Sequence, residues 1–524
     1  MILSFFNSRF FLVFLFPFIL GTLTVFSFQP FNFNYINFLI IPAFFLVTTY
    51  VQRKSKNTYR QKPYLLNLFF IGYLFGIGFF LTGTYWISHS LTFDETFQFL
   101  LPISLIGLPL FLGIFFGLGN FIVGPFLQNN FISILLFSSS FAFMDYLRAK
   151  IFSGFPWNLW AYTWSWIPEV LQPLPILGFF SFNLLCIIIY CTPLLLIFRK
   201  KNNFILFILI GIIFFSNFIY GSSIIKKNNK DLTELELNSE NSVYTKIISP
   251  NFDIKYNLSN NDIIENISKL IRYSAPEDNK KTLFVWPEGV FTSFNFEEIK
   301  QYKSLFEEAF SDNHLILFGS NTSRDTLNKN EVFNSLIVIN NKFEVIFQYD
   351  KIKLVPFGEF LPFENLLSKL GLKKITEGYG SFSPGIKSDI FLLDTLKILP
   401  LICYEIIFSE LSQNQKEKNL IVNISEDAWF GNTIGPYQHF AKAIFRSIEN
   451  NVFLIRSANK GVSAFIDNKG IVKFFLKPNE VGIIELNVPL INNTPIKYKI
   501  NLIFFALLFT CVFLFIVFKA NEKK

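Results

Sequence analysis

Charged residues are scarce in this chain. They make up 16% of its 524 residues, whereas soluble globular domains carry about 25%. Hydrophobic residues reach 51%, and phenylalanine alone occupies 72 positions. A chain with so little charge and so much apolar surface is not suited to water along its whole length. We therefore expect a membrane protein, in which the net charge of +8 reflects the topology of the loops rather than binding of nucleic acid.

Charge is missing altogether from several runs that are long enough, at about 20 residues, to cross a bilayer as helices. The sequence predicts eight membrane spans, near residues 8–27, 32–50, 64–87, 99–124, 131–147, 174–197, 203–221 and 500–518. The first is interpreted as an anchor rather than a cleaved signal, because it lacks an obvious small-residue cleavage site and further spans follow. The predicted domains are residues 1–221 with seven spans, residues 222–498 outside the membrane, and residues 499–524 with the eighth span and a tail.

Acidic residues are absent from the link after the second span, "QRKSKNTYRQK", which carries five bases. Bases also follow the sixth span at 199–201 and the eighth span in "FKANEKK". Because loops rich in lysine and arginine stay in the cytoplasm, the N-terminus is predicted inside and residues 222–498 on the outer face. Three lysines between 226 and 230 would lie on the outer face, against this rule. The assignment is kept because the charge bias is weak beside a long following domain.

The region 222–498 differs in pattern, with short β-rich runs separated by polar helical stretches. Nine strands are predicted: "VYTKIISP" (243–250), "TLFVWPE" (282–288), "LILFGS" (315–320), "SLIVIN" (335–340), "EVIFQYDK" (344–351), "LPLICYE" (399–405), "LIVNISE" (420–426), "VFLIRSAN" (452–459) and "VSAFIDN" (462–468). Apolar residues at three- and four-residue steps predict helices in "NDIIENISKLIRYSA" and "YQHFAKAIFRSIEN". Strands alternating with helices predict an α/β layered domain with its own core.

Cysteine is rare, with four residues in the chain. Three of them lie in predicted spans and are expected to pack there: Cys186, Cys191 and Cys511. Cys403 ends the strand in "ILPLICYEIIF", so a cleft can reach its thiol and the following backbone N–H groups can face a developing oxyanion. A buried, inert strand cysteine is the competing interpretation.

A cysteine nucleophile needs a base and a cation, and histidine, the usual base, is also scarce. The chain has three histidines, and no neighbouring residues mark any of them as a partner of the thiol. Glu288 and Lys351, each at the end of a predicted strand, are better candidates because α/β folds build their sites at strand ends. Taken singly, each is better explained as a solvated charge at the end of a strand.

Eight motifs spread over nearly the whole chain form a common pattern: "GFFLTGTYWIS" (78–88), "GFPWNLWAY" (154–162), "WPE" (286–288), "YDKIKLVPFGEF" (349–360), "GSFSPG" (380–385), "CYE" (403–405), "DAWFG" (427–431) and "IGPYQHFAKAIFRSIEN" (434–450). This pattern resembles the nitrilase superfamily and, more narrowly, the apolipoprotein N-acyltransferase family. The resemblance implies eight transmembrane helices joined to an extramembrane αββα sandwich of the nitrilase type.

The resemblance also implies a Glu-Lys-Cys triad. By motif, Glu288 would be the general base, Lys351 the cation that stabilises the oxyanion, and Cys403 the nucleophile. Three further positions match supporting residues of the family: Glu359, Tyr404 and Glu405. We expect Glu359 close to the triad, and the two residues after the nucleophile lining the opening of the site. Neither a cofactor nor a metal is implied.

The implied activity is the last step of bacterial lipoprotein maturation. A glycerophospholipid, usually phosphatidylethanolamine, would acylate Cys403, and the α-amine of an S-diacylglyceryl cysteine at the N-terminus of an apolipoprotein would take the acyl group in a ping-pong reaction. The implied location is the bacterial inner membrane, with the catalytic domain in the periplasm. We expect a monomer, embedded in lipid, with no nucleic-acid partner.

Two positions depart from the family pattern. Tyr256 is the nearest aromatic residue to a common tryptophan, and Glu426 replaces an asparagine; neither is expected to touch the triad. Residues 360–380 are a candidate lipid-contacting arm, with an ordinary packed helix as the alternative. Two other functions remain open: a membrane-tethered amidase that passes its acyl group to water, and a transporter or receptor with an inert outer domain.

Overall fold

The computed structural model describes residues 5–58, 64–198, 201–236, 241–255, 258–291, 294–326, 329–364, 381–387, 389–413, 417–492 and 501–522. They form two compact units. The first comprises Met1–His89, Gln98–Ser223 and Lys497–Lys524, and the second comprises Ser90–Phe97 and Ile224–Ile496. The short segment Ser90–Phe97, which lies between two predicted spans, thus packs with the second unit.

The first unit is helical. Its described residues contain eight helical spans that are long and apolar enough to cross a membrane: Phe10–Ser27, Asn34–Lys54, Tyr64–Thr92, Phe97–Phe126, Phe131–Lys150, Phe179–Ile197, Asn202–Leu235 and Asn501–Asn521. The eight predicted spans are therefore confirmed. The α-helices of this unit are α1 (Phe16–Leu23), α2 (Asn37–Thr58), α3 (Tyr64–Thr84), α4 (Leu101–Val123), α5 (Phe131–Lys150), α6 (Pro168–Leu171), α7 (Leu174–Leu177), α8 (Phe179–Cys191), α9 (Pro193–Ile197) and α10 (Lys201–Glu236).

Small residues allow α3 and α4 to approach closely. A Cβ added to Gly72 would collide with the Phe116 carbonyl, and one added to Gly76 would lie 2.8 Å from the Gly113 Cα. Between apolar helices in lipid, such close backbone contact replaces the hydrophobic driving force that is available in water. The glycines of α3 are therefore a packing surface.

A buried ion pair lies in the first unit at the end of α5. Arg148 Nη2 donates to Asp145 Oδ1 at 2.9 Å, as the three-residue spacing predicts, and Asn183 Nδ2 donates to the other carboxylate oxygen at 3.0 Å. Arg148 Nη1 donates to the carbonyls of Phe155 and Trp157 at 2.6 and 2.8 Å. The pair therefore fixes the loop that follows α5.

The second unit is a sandwich of two sheets. In the described residues its strands are β1 (Ser242–Ser249), β2 (Thr282–Val285), β3 (His314–Thr326), β4 (Lys329–Ile339), β5 (Val345–Asp350), β6 (Phe391–Leu393), β7 (Leu396–Ile402), β8 (Leu420–Glu426), β9 (Phe453–Asn459), β10 (Ser463–Ile466), β11 (Val472–Leu476) and β12 (Gly482–Pro489). One sheet has the order β12-β1-β2-β3-β4-β5 and the other β11-β10-β9-β8-β7-β6. The helices of this unit are α11 (Asn260–Ser274), α12 (Phe296–Ile299), α13 (Lys303–Ala309), α14 (Ser409–Gln413) and α15 (Gly435–Asn450), and α16 (Asn501–Asn521) returns to the first unit.

The predicted αββα arrangement is confirmed. Side chains of both sheets share one core, in which Val285 of β2 clusters with Ile402 of β7 and Val422 of β8. On the outer face of the first sheet, Ile263 and Ile267 of α11 cluster with aromatic residues of β2 and β3, and α15 packs against β9 of the second sheet. Apolar residues thus fill three layers between two sheets and two sets of helices.

The structure extends the predictions at several places. All nine predicted strands are present, and β6, β11 and β12 are additional. Helix α10 continues from the predicted span to Glu236, because Leu232 joins the core of the sandwich. Of the predicted arm, only 360–364 is described, so its helical or lipid-contacting character lies outside the described residues, as does Tyr256.

Candidate active site at the strand ends

The three residues of the predicted triad lie after the ends of three strands. Glu288 follows β2, Lys351 comes directly after β5, and Cys403 comes directly after β7. Strands β2, β3 and β5 run in one direction, and β7 to β9 are parallel to one another. Polar side chains at the carboxyl ends of such strands meet at one edge of their sheet. All three residues are buried.

The Glu288 carboxylate is held from three sides. Lys351 Nζ lies 3.5 Å from its Oε1, and Asn334 Nδ2 donates to the same oxygen at 2.7 Å. The backbone N–H of Glu426 donates to Oε2 at 2.9 Å. A Cβ on Gly319 of β3 would lie 2.8 Å from the Glu288 Cα, so glycine there lets the carboxylate approach the sheet. The expectation that position 426 does not touch the triad was wrong.

Glu359 is the second carboxylate on Lys351. Lys351 Nζ donates to Glu359 Oε1 at 2.8 Å, as does Asn334 Nδ2 at 2.8 Å, and the Val355 N–H donates to Oε2 at 2.8 Å. Asn334 therefore bridges Glu288 and Glu359. Sequence reasoning missed this residue, since an asparagine inside a β-rich run carries no signal of its own.

The charges at this site are unbalanced. Burial by itself lowers the pKa of the Lys351 amine, but the nearby carboxylates of Glu288 and Glu359 raise it above its ordinary value. Burial, together with the charge of Glu288, also raises the pKa of the Cys403 thiol, and Lys351 opposes this only in part. The raised pKa favours the protonated thiol of Cys403, and a thiol must lose its proton to a base before it can act as a nucleophile.

Glu405 has a different position from the one expected. Its side chain is fully buried; Oε2 accepts from the Ile402 N–H at 2.8 Å, and Oε1 accepts from the Ile352 N–H at 2.7 Å and from the Tyr349 hydroxyl at 2.9 Å. It therefore does not line an opening but ties the end of β7 to the chain just after Lys351. Tyr404 is buried too, with its ring edge-to-face on Phe408.

Cys403 itself has an unusual backbone. Its φ is +47°, in the left-handed region that costs a side-chain-bearing residue about 1–3 kcal/mol. It also begins a 3-10 turn, Cys403–Ile407. Strain of this kind persists only where the surroundings hold it, and the hydrogen bond from the Ile402 N–H to Glu405 is one such restraint.

A second polar cluster, which sequence reasoning missed, lies against Cys403. His439 of α15 has Nε2 3.2 Å from the Cys403 carbonyl oxygen and Nδ1 3.0 Å from Asp427 Oδ1. Arg456 Nη2 donates to Asp427 Oδ2 at 2.8 Å. The three residues of this cluster are fully buried. The available signal was the presence of His439 in the "IGPYQHFAKAIFRSIEN" motif, although no carboxylate or thiol stands near it in sequence.

Glu426 lies between the two clusters. Its Oε1 accepts from the Ala428 N–H at 3.0 Å, and Asn459 Nδ2 donates to both of its oxygens, at 3.1 and 2.9 Å. Burial raises the pKa of this carboxyl well above its ordinary value, and Glu288 adds to the effect. Glu426 therefore accepts, through its side-chain oxygens, bonds that an asparagine oxygen would also accept.

Sequence comparison agrees with this division of the chain. Residues 20–192 match the family model of the apolipoprotein N-acyltransferase N-terminal domain, and residues 251–498 match that of the carbon-nitrogen hydrolases. An apolipoprotein N-acyltransferase of Allorhizobium ampelinum is 32% identical over 428 residues, which cover 80% of this chain and 79% of the relative. One of Brucella melitensis is 29% identical over 488 residues, covering 90% of this chain and 89% of the relative.

Among solved structures, a carbon-nitrogen hydrolase from Helicobacter pylori is 16% identical and aligns with 47% of this chain and 89% of its own, with a TM-score of 0.35. The assignment depends instead on the sequence relatives, which extend through both the membrane helices and the sandwich. By that likeness, this chain belongs to the apolipoprotein N-acyltransferase family.

Proposed function

We propose that this chain transfers an acyl group from a glycerophospholipid to the α-amine of the S-diacylglyceryl cysteine at the N-terminus of an apolipoprotein. The observation that carries the proposal is the buried set of Glu288, Lys351 and Glu359, in which Lys351 Nζ lies 3.5 and 2.8 Å from the two carboxylates. The charges of Glu288 and Lys351 also influence the pKa of the Cys403 thiol. In this proposal Glu288 is the general base, Lys351 the oxyanion-stabilising cation and Cys403 the nucleophile.

In the first half-reaction the thiol proton moves to Glu288 while the sulfur attacks the ester carbonyl carbon. The carbon–sulfur bond forms and the carbonyl oxygen becomes an oxyanion, which Lys351 and the backbone N–H of Tyr404 stabilise; one such donor is worth about 10²–10³ in rate. The ester C–O bond then breaks. Glu288 returns its proton to the leaving alkoxide, which departs as a lysophospholipid and leaves a thioester on Cys403.

In the second half-reaction an amine attacks the thioester carbon. Glu288 takes a proton from the attacking nitrogen, the carbon–sulfur bond breaks, and the same proton restores the thiol of Cys403. The products are an amide and the free enzyme. Glu359 forms an ion pair with Lys351, as Glu288 does, and keeps the side-chain amine of Lys351 charged throughout the reaction.

Both proposed substrates are amphiphiles of a bilayer, which accounts for a nitrilase-type sandwich in the same chain as membrane helices. The proposed acyl donor is phosphatidylethanolamine, and the proposed position of the sandwich is the periplasmic face of the inner membrane, from the bases that follow the even-numbered spans. The protein is proposed to act as a monomer.

Intact-mass analysis tests the reaction. The full chain in detergent is mixed with phosphatidylethanolamine, and we expect an added mass of one acyl group that is lost on adding a diacylglyceryl-cysteine peptide, whose own mass rises by the same amount. Discharge by water at the same rate would identify an amidase, and no adduct would contradict acyl transfer. Cys403→Ala is the control for the site of attachment.

Labelling tests the membrane orientation. Ile386, in the second unit, is fully exposed, and the four native cysteines are buried. We expect Ile386→Cys to react with a membrane-impermeant maleimide in intact spheroplasts. Reaction only after lysis would place the sandwich in the cytoplasm and contradict the proposal.

A further inference from the structure

His439 contacts the peptide that joins the nucleophile to the next residue. Its Nε2 lies 3.2 Å from the carbonyl oxygen of Cys403. A carbonyl oxygen can only accept a hydrogen bond, so a bond of this geometry requires the proton on Nε2. The side chain is fully buried.

The other ring nitrogen has a partner that suits this tautomer. Arg456 Nη2 lies 3.0 Å from His439 Nδ1, and because an arginine can only donate, Nδ1 can accept from it when the ring proton is on Nε2. Asp427 Oδ1 also lies 3.0 Å from Nδ1, and it accepts a hydrogen bond from the Ser425 hydroxyl at 2.6 Å. Burial lowers the pKa of His439 to about 4, which agrees with a neutral ring that has one N–H.

Arg456 is itself fixed. It donates to Asp427 Oδ2 at 2.8 Å, to the Val462 carbonyl at 3.2 Å and to the side-chain oxygen of Asn423. His439 is therefore held against Cys403 by the regular elements β8, β9 and α15 rather than by a mobile loop.

The peptide held in this way also carries the N–H of Tyr404. In a planar trans peptide the C=O and the N–H point in opposite directions, so fixing the Cys403 carbonyl fixes the direction of the Tyr404 N–H. In the proposed function that N–H is an oxyanion donor. Release of the Cys403 carbonyl would let this peptide rotate about its flanking Cα bonds, which would turn the Tyr404 N–H away from its direction in the structure.

We propose that His439 is a positioning residue, a neutral Nε2–H donor held by Arg456 and Asp427 that fixes the peptide between Cys403 and Tyr404 so that its N–H serves the oxyanion. This inference deepens the proposed function and depends on it for the role of the N–H. It does not make His439 a base, because its Nδ1 faces Arg456 and its Nε2 faces a carbonyl.

The tautomer can be measured without any activity assay. The chain contains three histidines, so ¹⁵N-histidine labelling of the full chain in detergent yields few signals, and His89→Gln and His314→Gln assign two of them. At pH 7 we expect His439 to show a protonated Nε2 and a bare Nδ1. The opposite tautomer, or an imidazolium, would overturn the proposal, whatever the enzyme does with lipid.

Kinetics test the positioning role. His439→Gln keeps an N–H at the end of the side chain, whereas His439→Met has similar length and no donor. In single-turnover acylation of Cys403 by phosphatidylethanolamine, we expect His439→Met to lower the rate at saturating lipid on the order of 10²-fold, with unchanged half-saturation, and His439→Gln to recover most of that rate. Equal rates for wild type and His439→Met would overturn the inference.

His314 supplies a matched control. It is equally buried, and its ring also contacts backbone, with Nδ1 accepting from the Ser311 N–H and Nε2 near the Glu277 carbonyl. His314→Gln should keep the acylation rate, and loss of rate there would overturn the specific role of His439. If wild type forms no adduct on Cys403, the proposed function fails instead, and the tautomer measurement still decides the geometry of His439.

Discussion

The two units of this protein each bury an ion pair, and the pairs differ in kind. In the helical unit, Arg148 meets one carboxylate, that of Asp145, and its Nη1 donates to two carbonyls of the following loop. In the sandwich, Lys351 meets two carboxylates, those of Glu288 and Glu359. One set is balanced in charge and the other has a surplus of negative charge.

We propose that the difference separates a structural ion pair from a reactive one. Arg148 and Asp145 are three residues apart on one helix, so forming their contact requires no particular tertiary fold. Glu288 comes from a chain segment distant from the one that holds Lys351 and Glu359, and surplus carboxylate at a buried site is unfavourable unless it serves another purpose. Accepting the proton of a nearby thiol is such a purpose. The predictions below test this distinction.

The largest expected effect is loss of acyl transfer on removing the nucleophile. Cys403→Ala should lower the transfer rate by on the order of 10⁴-fold or more, with a melting temperature close to that of wild type. Cys511→Ala is the matched control, because this cysteine of the helical unit is also buried and should leave transfer intact. Transfer that survives in Cys403→Ala would place the chemistry elsewhere.

The two carboxylates on Lys351 should differ in their contribution. Glu288→Gln removes the proposed base and should lower the rate of Cys403 acylation on the order of 10³-fold. Glu359→Gln keeps a side-chain oxygen near Lys351 and should lower that rate less, on the order of 10-fold. The rates are read by rapid quenching and intact mass. Equal losses would mean that the two carboxylates share the role of base.

The buried ion pair of Asp145 and Arg148 should contribute to the free energy of unfolding. Arg148→Met leaves Asp145 buried without its cation, so the free energy of unfolding should fall by about 3–5 kcal/mol. In the double variant Asp145→Asn, Arg148→Met no charge remains, and most of that loss should be recovered. Thermal unfolding in detergent measures both. A double variant as unstable as the single one would show that the loop contacts of Arg148, rather than its charge, dominate.

A smaller effect should appear in the pH dependence of stability. The pKa of His439 is lowered by burial to about 4 in the folded protein, against about 6.5 in an unfolded chain. Between these values the unfolded state binds the proton and the folded state does not, so stability falls as pH drops from about 6.5 to 4, by about 3 kcal/mol. The unfolding free energy of His439→Gln should fall less over the same range, and an equal fall would exclude His439 as its source.

Periodicity and strand-end position account for much of what could be predicted. Eight spans, nine strands and the residues Glu288, Lys351 and Cys403 all follow from local patterns, since a lipid-spanning helix and a buried strand each impose a composition on consecutive residues. The strands β6 and β11 were not predicted because they are short. The burial of Leu232 in the core of the sandwich was not predicted because this residue lies in a polar stretch of α10.

The sequence by itself determined that the chain spans a membrane, that it carries an α/β domain, and which strand ends bear an acid, an amine and a thiol. Only the tertiary structure decided that Asn334 joins the two carboxylates, that Glu405 is a buried tie rather than a lining residue, and that His439 holds the backbone of Cys403. These contacts join residues far apart in the chain, and their energy depends on distance and direction in space, which no local pattern of residues records.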